Sequence, residues 1–211
     1  MHLLGPILDF FLHFDTHLEQ AIHQYGLLTY VFLFIIVFCE TGLVVTPFLP
    51  GDSLLFAAGA LAAKGLLHPV FLPAMLAAAA TLGDITNYWI GRTFGLRGFK
   101  ENARFLNTRH VDRTHAFYAK HGAKTLVMAR FLPIVRTFAP FVAGLGGMPF
   151  TRFLAFSILG GILWVGSCFA AGVLFGNIPV VKDNFSLVVL GIIAVSLLPT
   201  VIALLRARFR K

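Results

Sequence analysis

The fold is decided by a proline- and glycine-rich interruption at residues 41–52, which read TGLVVTPFLPGD. An uncharged 14-residue run, Gly26 to Cys39, precedes the interruption, and a second apolar run follows it to Ala63. Each run is shorter than the roughly 20 apolar residues that a spanning helix needs. Irregular backbone at membrane depth is tolerated only where it is buried in protein or lines a wet cavity. We therefore predict two half-helices that form a re-entrant hairpin over residues 26–63.

A second interrupted segment covers residues 125–148. Residues 130–140 read RFLPIVRTFAP, and a glycine-rich stretch follows them. The two interruptions share the order Phe-Leu-Pro, at residues 48–50 and 131–133. Paired interrupted segments in the two halves of a chain are typical of transporters built from repeats. The sequence therefore predicts a second re-entrant hairpin that faces the first.

The composition excludes an ordinary water-soluble enzyme. Hydrophobic residues make up 58% of the 211 residues and charged residues only 12%, whereas soluble domains carry about 25% charged residues. Three uncharged stretches are long enough to span a membrane, namely residues 65–83 (with an extension towards Gly91), 153–181 and 184–205. The predicted class is an all-α membrane protein with transmembrane helices and two opposed re-entrant helical hairpins in an inverted-repeat arrangement.

Charge placement predicts the orientation of a single multi-pass domain over residues 26–205. Residues 92–124 carry eight Lys or Arg against two acids, and the tail at residues 206–211 carries four more basic residues. The positive-inside rule places both segments in the cytoplasm, so the hairpins open from opposite faces. Residues 1–25 have the helical periodicity of an amphipathic helix. Such a helix lies on the membrane surface or packs on the protein's own bundle, and the sequence leaves both alternatives open.

No metal or cofactor site is predicted. Cys39 and Cys168 lie in apolar runs without a CxxC motif or a Cys/His cluster, and this pattern is typical of small buried side chains. The GxxxxGK[ST] nucleotide motif is also absent from the sequence, so ATP is not the direct energy source. We interpret the net charge of +8 as basic residues that set the orientation in the membrane and that attract anionic lipids. No nucleic-acid partner is expected.

Five ionisable residues fall in the predicted membrane segments, namely Glu40, Asp52, Asp84, Arg130 and Arg136. Each unpaired charge at a helix centre costs about 2.5–3.5 kcal/mol, so these groups must be paired, hydrated or protonated. We expect the two acids of the first hairpin to pair with the two arginines of the second. Such pairs either fasten the hairpins or form a transport site, in which arginine binds phosphate oxygens and a carboxylate carries a proton.

A third polar group lies on the predicted helix after the first hairpin. Asp84, Tyr88 and Arg92 are spaced by four residues and share one helix face, with Asn87 beside them. We interpret this group as structural, because Tyr88 and Asn87 can satisfy Asp84 locally.

Two glycine pairs are spaced for close helix contacts, namely Gly91 with Gly95 and Gly172 with Gly176. Small residues at positions i and i+4 let two helix backbones approach each other. The spacing therefore predicts that both glycine pairs lie at helix–helix contacts.

Three ordered segments, residues 38–55, 83–95 and 129–144, resemble the DedA family of VTT/SNARE-associated-type membrane proteins. The resemblance runs across nearly the whole chain. It implies a bacterial inner-membrane protein with two facing re-entrant hairpins. Members of this family are associated with lipid translocation: some recycle the carrier undecaprenyl phosphate, others move phospholipids, and eukaryotic relatives scramble lipids.

The resemblance places the family's functional acids and arginines at Glu40, Asp52, Arg130 and Arg136. Supporting positions within the same segments are Asp84, Asn87, Tyr88, Arg92, Pro47, Pro50, Gly51, Pro133, Pro140 and Gly144. The leading interpretation is a proton-coupled flippase, and not an enzyme, that moves a phosphate-bearing lipid such as undecaprenyl phosphate. Arg130 and Arg136 would bind the phosphate, while Glu40 and Asp52 exchange protons or compete for the arginines.

Several alternatives stay open. They are a flippase or scramblase of phospholipids such as phosphatidylethanolamine, a proton-coupled exporter of small cations, and a non-transport scaffold for envelope enzymes. A phosphatase is disfavoured because no evident nucleophile lies beside the arginines in the sequence. The expected partners are anionic or zwitterionic membrane lipids and protons, and a homo-oligomer is left open.

Overall fold

The computed structural model describes residues 20, 24–43, 51–98, 124–176, 178, 179, 181, 188, 191 and 192. In this part of the chain the regular elements are all helical and no strand occurs. The helices are α1 (Leu27–Gly42), α2 (Gly51–Ala63), α3 (Phe71–Gly98), α4 (Lys124–Ala129), α5 (Pro133–Leu145) and α6 (Phe150–Phe175). The predicted all-α class is therefore confirmed for the described residues, while the re-entrant arrangement of the hairpins stays a prediction.

The first predicted hairpin contains two short helices. α1 has 16 residues and α2 has 13, so neither reaches the length of a spanning helix. α2 is buried along almost its whole length. It begins with Asp52 in its first turn, where a carboxylate is favourable beside the unpaired N–H groups of a helix. Pro47 and Pro50, which were predicted to shape the centre of this hairpin, lie outside the described residues.

The predicted span from residue 65 begins later than expected, at Phe71. Gly65 adopts a left-handed conformation with φ of 80°, which ends α2 because glycine alone adopts it without steric cost. His68 then accepts hydrogen bonds at Nδ1 from the backbone N–H groups of Val70 and Phe71, at 3.3 and 3.1 Å. This imidazole satisfies N–H groups at the start of α3, which continues over 28 residues.

The second predicted hairpin contains α4 and α5, which pack against each other. A three-residue break, 130–132, separates them. Pro133 follows at the start of α5, where its missing N–H costs nothing and its fixed φ suits a helix. Pro140 lies inside α5 and interrupts the hydrogen-bond ladder of that helix. The break therefore places Arg130 in the turn and Arg136 in the first turn of α5.

Among the described helices, α6 is the one that is both long and apolar enough to cross a membrane by length and composition. It has 26 residues, and its most apolar window has a mean hydropathy of 2.1. An apolar helix of spanning length is thus confirmed as far as Phe175 within the predicted span at residues 153–181, and its crossing of the membrane stays a prediction. The predicted span at 184–205, the tail at 206–211 and the helix at 1–25 fall wholly or largely outside the described residues.

The chain divides into two compact units. The described residues of unit 1 are 20, 24–36, 51–76, 165–176, 178, 179, 181, 188, 191 and 192, and those of unit 2 are 37–43, 77–98 and 124–164. In unit 1, Tyr30 packs on Phe71 with ring centroids 5.8 Å apart. Its hydroxyl accepts a hydrogen bond from the backbone N–H of His68 at 2.9 Å. In unit 2, Tyr88 and Phe153 lie in a buried core cluster.

Within unit 1, α2 and α6 cross at glycines. Gly59 lies against the backbone of Phe169, and Gly172 lies against the backbone of Phe56. A Cβ atom on either glycine would clash with the opposite main chain. Gly176 also contacts α2, so the predicted contact role of the second glycine pair is confirmed.

Within unit 2, α3 and α5 cross in the same way. Gly91 lies against the backbone of Phe141, and Gly144 lies against the backbone of Tyr88. The helix-contact role predicted for Gly91 is confirmed, and Gly144 acts as its counterpart on α5. The contacts of Gly95, which was predicted to act together with Gly91, lie outside those described.

The two crossings share one sequence pattern, an aromatic residue followed three positions later by glycine. The four segments are residues 56–59 (FAAG), 88–91 (YWIG), 141–144 (FVAG) and 169–172 (FAAG). In unit 1 the first segment pairs with the fourth, and in unit 2 the second pairs with the third. The α2–α6 crossing and the α3–α5 crossing are therefore built from the same reciprocal glycine contacts.

Candidate functional site

Two buried ion pairs lie in unit 2. Arg136 Nη2 contacts Glu40 Oε1, and Arg130 Nη2 contacts Asp84 Oδ2. The four side chains are each exposed by 5% or less. Their formal charges cancel in pairs, which lowers the cost of holding them away from water.

The first ion pair joins α1 to α5. Glu40 lies in the last turn of α1 and Arg136 in the first turn of α5. The Cζ atom of Arg136 lies 4.6 Å from the ring centroid of Trp164 on α6, within the range of a cation–π interaction. The structure therefore brings together one acid of the first predicted hairpin and one arginine of the second, as the sequence led us to expect.

The second ion pair joins the break after α4 to α3 and α6. Ser157 Oγ donates a hydrogen bond to Asp84 Oδ2 at 2.7 Å and accepts one from Arg130 Nη2 at 3.3 Å. Asp84 is thus satisfied by Arg130 and Ser157. The expectation that Tyr88 and Asn87 satisfy it locally is wrong, because both side chains bond to main-chain carbonyls instead.

Two glycines of α6 make room for Arg130. A Cβ on Gly160 would lie 2.9 Å from Arg130 Cδ, and one on Gly161 would lie 3.5 Å from Arg130 Nη1. This nitrogen is buried and has no hydrogen-bond partner among the described residues. Ser157, Gly160, Gly161 and Trp164 are spaced i, i+3, i+4 and i+7, so they form one face of α6. We call these four residues the α6 site face.

Asn87 forms hydrogen bonds to the main chains of α1 and α5, the two helices that carry the first ion pair. Its Nδ2 donates hydrogen bonds to Thr137 O at 2.6 Å and to Thr41 O at 3.4 Å. These carbonyls belong to the residues that directly follow Arg136 and Glu40 in the sequence. A Cβ on Gly42 would lie 3.2 Å from Gly83 Cα, so the end of α1 also approaches α3 closely. Asn87 therefore fixes α1 and α5 on α3 beside the ion pair.

Tyr88 and Arg92 contact each other, as their spacing predicted, but they lie outside the ion pairs. Arg92 Nη1 donates to the Tyr88 hydroxyl at 2.7 Å, and that hydroxyl donates to Met148 O. The Tyr88 ring stacks on Phe153 with centroids 4.4 Å apart. These contacts join the core of unit 2, so both residues support the fold around the site.

The remaining predicted residues lie at helix starts and crossings. Asp52 is half-buried in the first turn of α2, in unit 1. Because Asp84 holds Arg130, the expected pairing of both arginines with acids of the first hairpin is wrong for Arg130. The other positions are Gly51, buried at the start of α2, Pro133 at the start of α5, Pro140 inside α5 and Gly144 at the α3–α5 crossing.

Sequence reasoning missed the α6 site face. Residues 157–164 were interpreted only as part of an uncharged span, although Ser157 and Trp164 lie seven residues apart with two glycines between them. A serine, two glycines and a tryptophan on one face of an apolar helix were the available signal. No cluster of three His, Cys, Asp or Glu side chains that could hold a metal ion occurs in the described ranges.

Chemically, the site offers two guanidinium groups that are neutralised by carboxylates. Arginine binds carboxylate and phosphate with the same planar fork of donors. A phosphate can therefore take the place of a carboxylate on either arginine without a change in geometry at the guanidinium. The site thus combines carboxylates, a type of group that can take up a proton, with guanidinium groups, a type of group that can bind an oxyanion.

Comparison with known proteins identifies the family. The VTT domain matches residues 49–174. Protein DedA of Escherichia coli (strain K12) is 51% identical over 209 residues, which cover 98% of this chain and 95% of the relative. The uncharacterized membrane protein ML0287 of Mycobacterium leprae is 49% identical (80% and 76% covered), and the inner membrane protein YghB of E. coli is 37% identical (83% and 78%). No solved structure matches the chain significantly. The chain therefore belongs to the DedA family of VTT-domain membrane proteins.

Proposed function

We propose that this protein moves the head group of a phosphate-bearing lipid across the bacterial inner membrane. The observation that carries the proposal is the pair of buried arginines beside the break at residues 130–132, each matched to a carboxylate. Buried ion pairs contribute little net stability, because desolvation offsets most of the attraction. Ionisable groups inside a membrane protein usually mark the path of a substrate or a proton.

The substrate class follows from the chemistry of the two arginines. Phosphate oxygens match the guanidinium fork, and each arginine already holds an oxyanion in the form of a carboxylate. A small organic cation would have to bind beside two fixed positive charges. The described site therefore favours an anionic group over a cationic drug.

The lipid character of the substrate is supported by the two faces of α6. The four residues of the α6 site face are buried, whereas Ile158, Leu159, Ile162 and Leu163 on the other side are exposed by 42–56%. Such a helix can hold a head group on its inner side while acyl or prenyl chains stay in the bilayer. The resemblance to DedA proteins further leads us to propose undecaprenyl phosphate as the lipid.

The proposed architecture is an inverted repeat of two re-entrant hairpins in a multi-pass protein whose C-terminus faces the cytoplasm. The four aromatic-x-x-Gly segments support this proposal, because the same pattern forms both the α2–α6 crossing and the α3–α5 crossing. Helices related by an internal repeat are expected to make such reciprocal contacts. The break between α4 and α5 and the short length of α1 and α2 agree with interrupted helices.

Proton coupling is proposed at Glu40 and Asp52. A carboxylate that takes up a proton no longer competes for arginine, so Arg136 becomes available to phosphate when Glu40 is neutral. Release of the proton restores the ion pair and expels the phosphate. Asp52 lies in the first turn of α2 and is proposed as the second proton-carrying group.

The test is transport by the full chain in liposomes. Purified protein is reconstituted with one of three labelled lipids: a prenyl phosphomonoester, phosphatidylethanolamine or the uncharged prenyl alcohol. We expect the phosphomonoester to cross fastest and the alcohol to show no protein-dependent movement. Equal movement of all three lipids would indicate a scramblase, and movement of none of them would contradict the proposal.

A further inference from the structure

The two arginines of the site are held in different ways. Arg136 contacts a carboxylate and an aromatic face, whereas Arg130 belongs to a hydrogen-bonded triad with Asp84 and Ser157. The hydrogen bonds of Arg130 to Asp84 and Ser157 both use Nη2, and its Nη1 has no hydrogen-bond partner in the described part of the chain. One edge of the Arg130 guanidinium is thus bound to the protein while a donor on the other terminal nitrogen is buried without an acceptor.

We propose that Asp84 and Ser157 are positioning residues that control when Arg130 binds the lipid phosphate. This inference rests on the proposed function and deepens it, because it assigns the carboxylate with which the phosphate competes at Arg130. Asp84 holds Arg130 between transport events. The lipid phosphate first accepts from Nη1 and then displaces Asp84 from Nη2, and Arg130 keeps its proton throughout.

Ser157 has a separate part in this exchange. Its hydroxyl donates to the same Asp84 oxygen that Arg130 contacts, so the carboxylate keeps one charge-assisted hydrogen bond after Arg130 leaves. A buried carboxylate with no partner is strongly unfavourable. Ser157 therefore makes the release of Arg130 easier, and removal of its hydroxyl is expected to hold Arg130 on Asp84.

The inference predicts opposite effects for the two side chains. Asp84→Asn removes the charge that competes with the phosphate for Arg130. The KM for a prenyl phosphomonoester should therefore fall about tenfold, which is the contribution of the one charge-assisted hydrogen bond that the phosphate no longer has to displace. Ser157→Ala should raise that KM about threefold, since Asp84 would be left without a donor. The double variant has no carboxylate at position 84 that could be left without a donor, so Ser157→Ala should add no further change to Asp84→Asn.

The experiment measures KM and kcat of liposome transport for the wild type, both single variants and the double variant. Ser167→Ala is the matched control, because Ser167 lies exposed on the same helix. Melting temperatures of the purified proteins accompany the kinetics. A packing role for Asp84 or Ser157 would lower the melting temperature and give effects of the same sign on transport.

The outcomes separate this inference from the proposed function. If the wild type transports the phosphomonoester and all KM values agree, the roles of Asp84 and Ser157 are overturned while the proposed function stands. Additive or same-sign KM effects also overturn these roles. A wild type that moves no phosphate lipid overturns both proposals. If Asp84→Asn does not fold, Ser157→Ala alone decides: a raised KM supports the inference, and an unchanged KM overturns it.

Discussion

Glu40 and Arg136 are 96 residues apart in the chain and form a buried ion pair that joins the last turn of α1 to the first turn of α5. Asn87 donates to the main-chain carbonyls that directly follow both residues, and Trp164 covers the Arg136 guanidinium. Four helices thus contribute to the position of one charge pair. A buried ion pair adds little net stability. Its positioning by four helices is consistent with a site in which Arg136 exchanges one anionic partner for another.

Replacement of either arginine by lysine should strongly reduce transport although the positive charge is kept. Lysine is a point charge without the planar fork, so the loss of one bidentate pair should reduce kcat/KM by at least about tenfold. The measurement is liposome transport of a prenyl phosphomonoester by Arg130→Lys and Arg136→Lys. Arg152→Lys, at an exposed position on α6, is the control and should retain wild-type transport. Full activity of both site variants would contradict phosphate binding by the fork.

Neutralisation of Glu40 should separate lipid binding from turnover. Glu40→Gln keeps the size and hydrogen bonding of the side chain but fixes a neutral state, so Arg136 stays available to phosphate. We expect the variant to bind the phosphomonoester at least as tightly as the wild type, yet to transport it slowly at every pH. Asp52→Asn should show the same separation.

Wild-type transport should, by contrast, depend on pH, because binding requires an uptake of protons and release requires their loss. Binding and transport are measured over a range of pH values for the wild type and both variants. Indifference of the wild type to pH, together with fully active variants, would favour passive scrambling. Loss of binding in the variants would indicate a direct contact between an acid and the substrate.

The ring of Trp164 should matter to transport through Arg136. A desolvated cation–π interaction contributes about 2 kcal/mol, so Trp164→Leu should reduce kcat/KM by about tenfold or more. Trp164→Phe keeps an aromatic face and should have a smaller effect. Trp89→Leu is the control, because Trp89 is exposed by 48%. If Leu and Phe variants with equal melting temperatures transport equally well, the cation–π contact does not position Arg136.

The glycine crossings should be sensitive to a single methyl group. In Gly59→Ala the new Cβ would lie 3.0 Å from Phe169 C, and in Gly144→Ala it would lie 2.9 Å from Arg92 N. Overpacking of this kind costs about 1–3 kcal/mol, which should lower the melting temperature of both variants. Gly166→Ala is the control, since no atom lies within 4 Å of its Cβ position, and it should be neutral or stabilising. Equal melting temperatures of all three variants would contradict the close crossings.

The sequence predicted the breaks of the helices better than the partners of the charges. Proline and glycine act locally, so the break before Pro133 and the end of α2 near Gly65 could be expected from the residues alone. The pairing of Glu40 with an arginine of the second hairpin could be expected from the cost of unpaired charge in a membrane, but the choice of Arg136 could not. The choice of Asp84 over Asp52 as the partner of Arg130 could not be predicted, because it depends on which helices pack together.

The repeated aromatic-x-x-Gly pattern was present in the sequence from the start. The segments at 56–59 and 169–172 are identical, but they pair across more than a hundred residues. Pattern analysis within one helix cannot find a partner on another helix. Ser157 and Trp164 were missed for the same reason, since their role depends on the side chains that face them from the other elements.

The re-entrant arrangement of the hairpins is tested by chemical accessibility. Single cysteines are introduced from Thr41 to Leu49 and from Ile134 to Val142 in a background without Cys39 and Cys168. Positions at the hairpin tips should react with water-soluble thiol reagents, because irregular backbone at membrane depth must face protein or water. Tips that resist every such reagent while the helical arms react would contradict the arrangement.

The central claim is that Arg130 and Arg136 exchange their carboxylates for the phosphate of a lipid. The most direct measurement is solid-state NMR of the protein in lipid bilayers with a bound prenyl phosphomonoester, in which dipolar couplings are recorded between phosphorus and labelled guanidinium nitrogens. The account predicts couplings that Arg130→Lys and Arg136→Lys each reduce and that Arg152→Lys leaves unchanged. Couplings that persist in both site variants, or an absence of coupling in protein that transports the lipid, would contradict it.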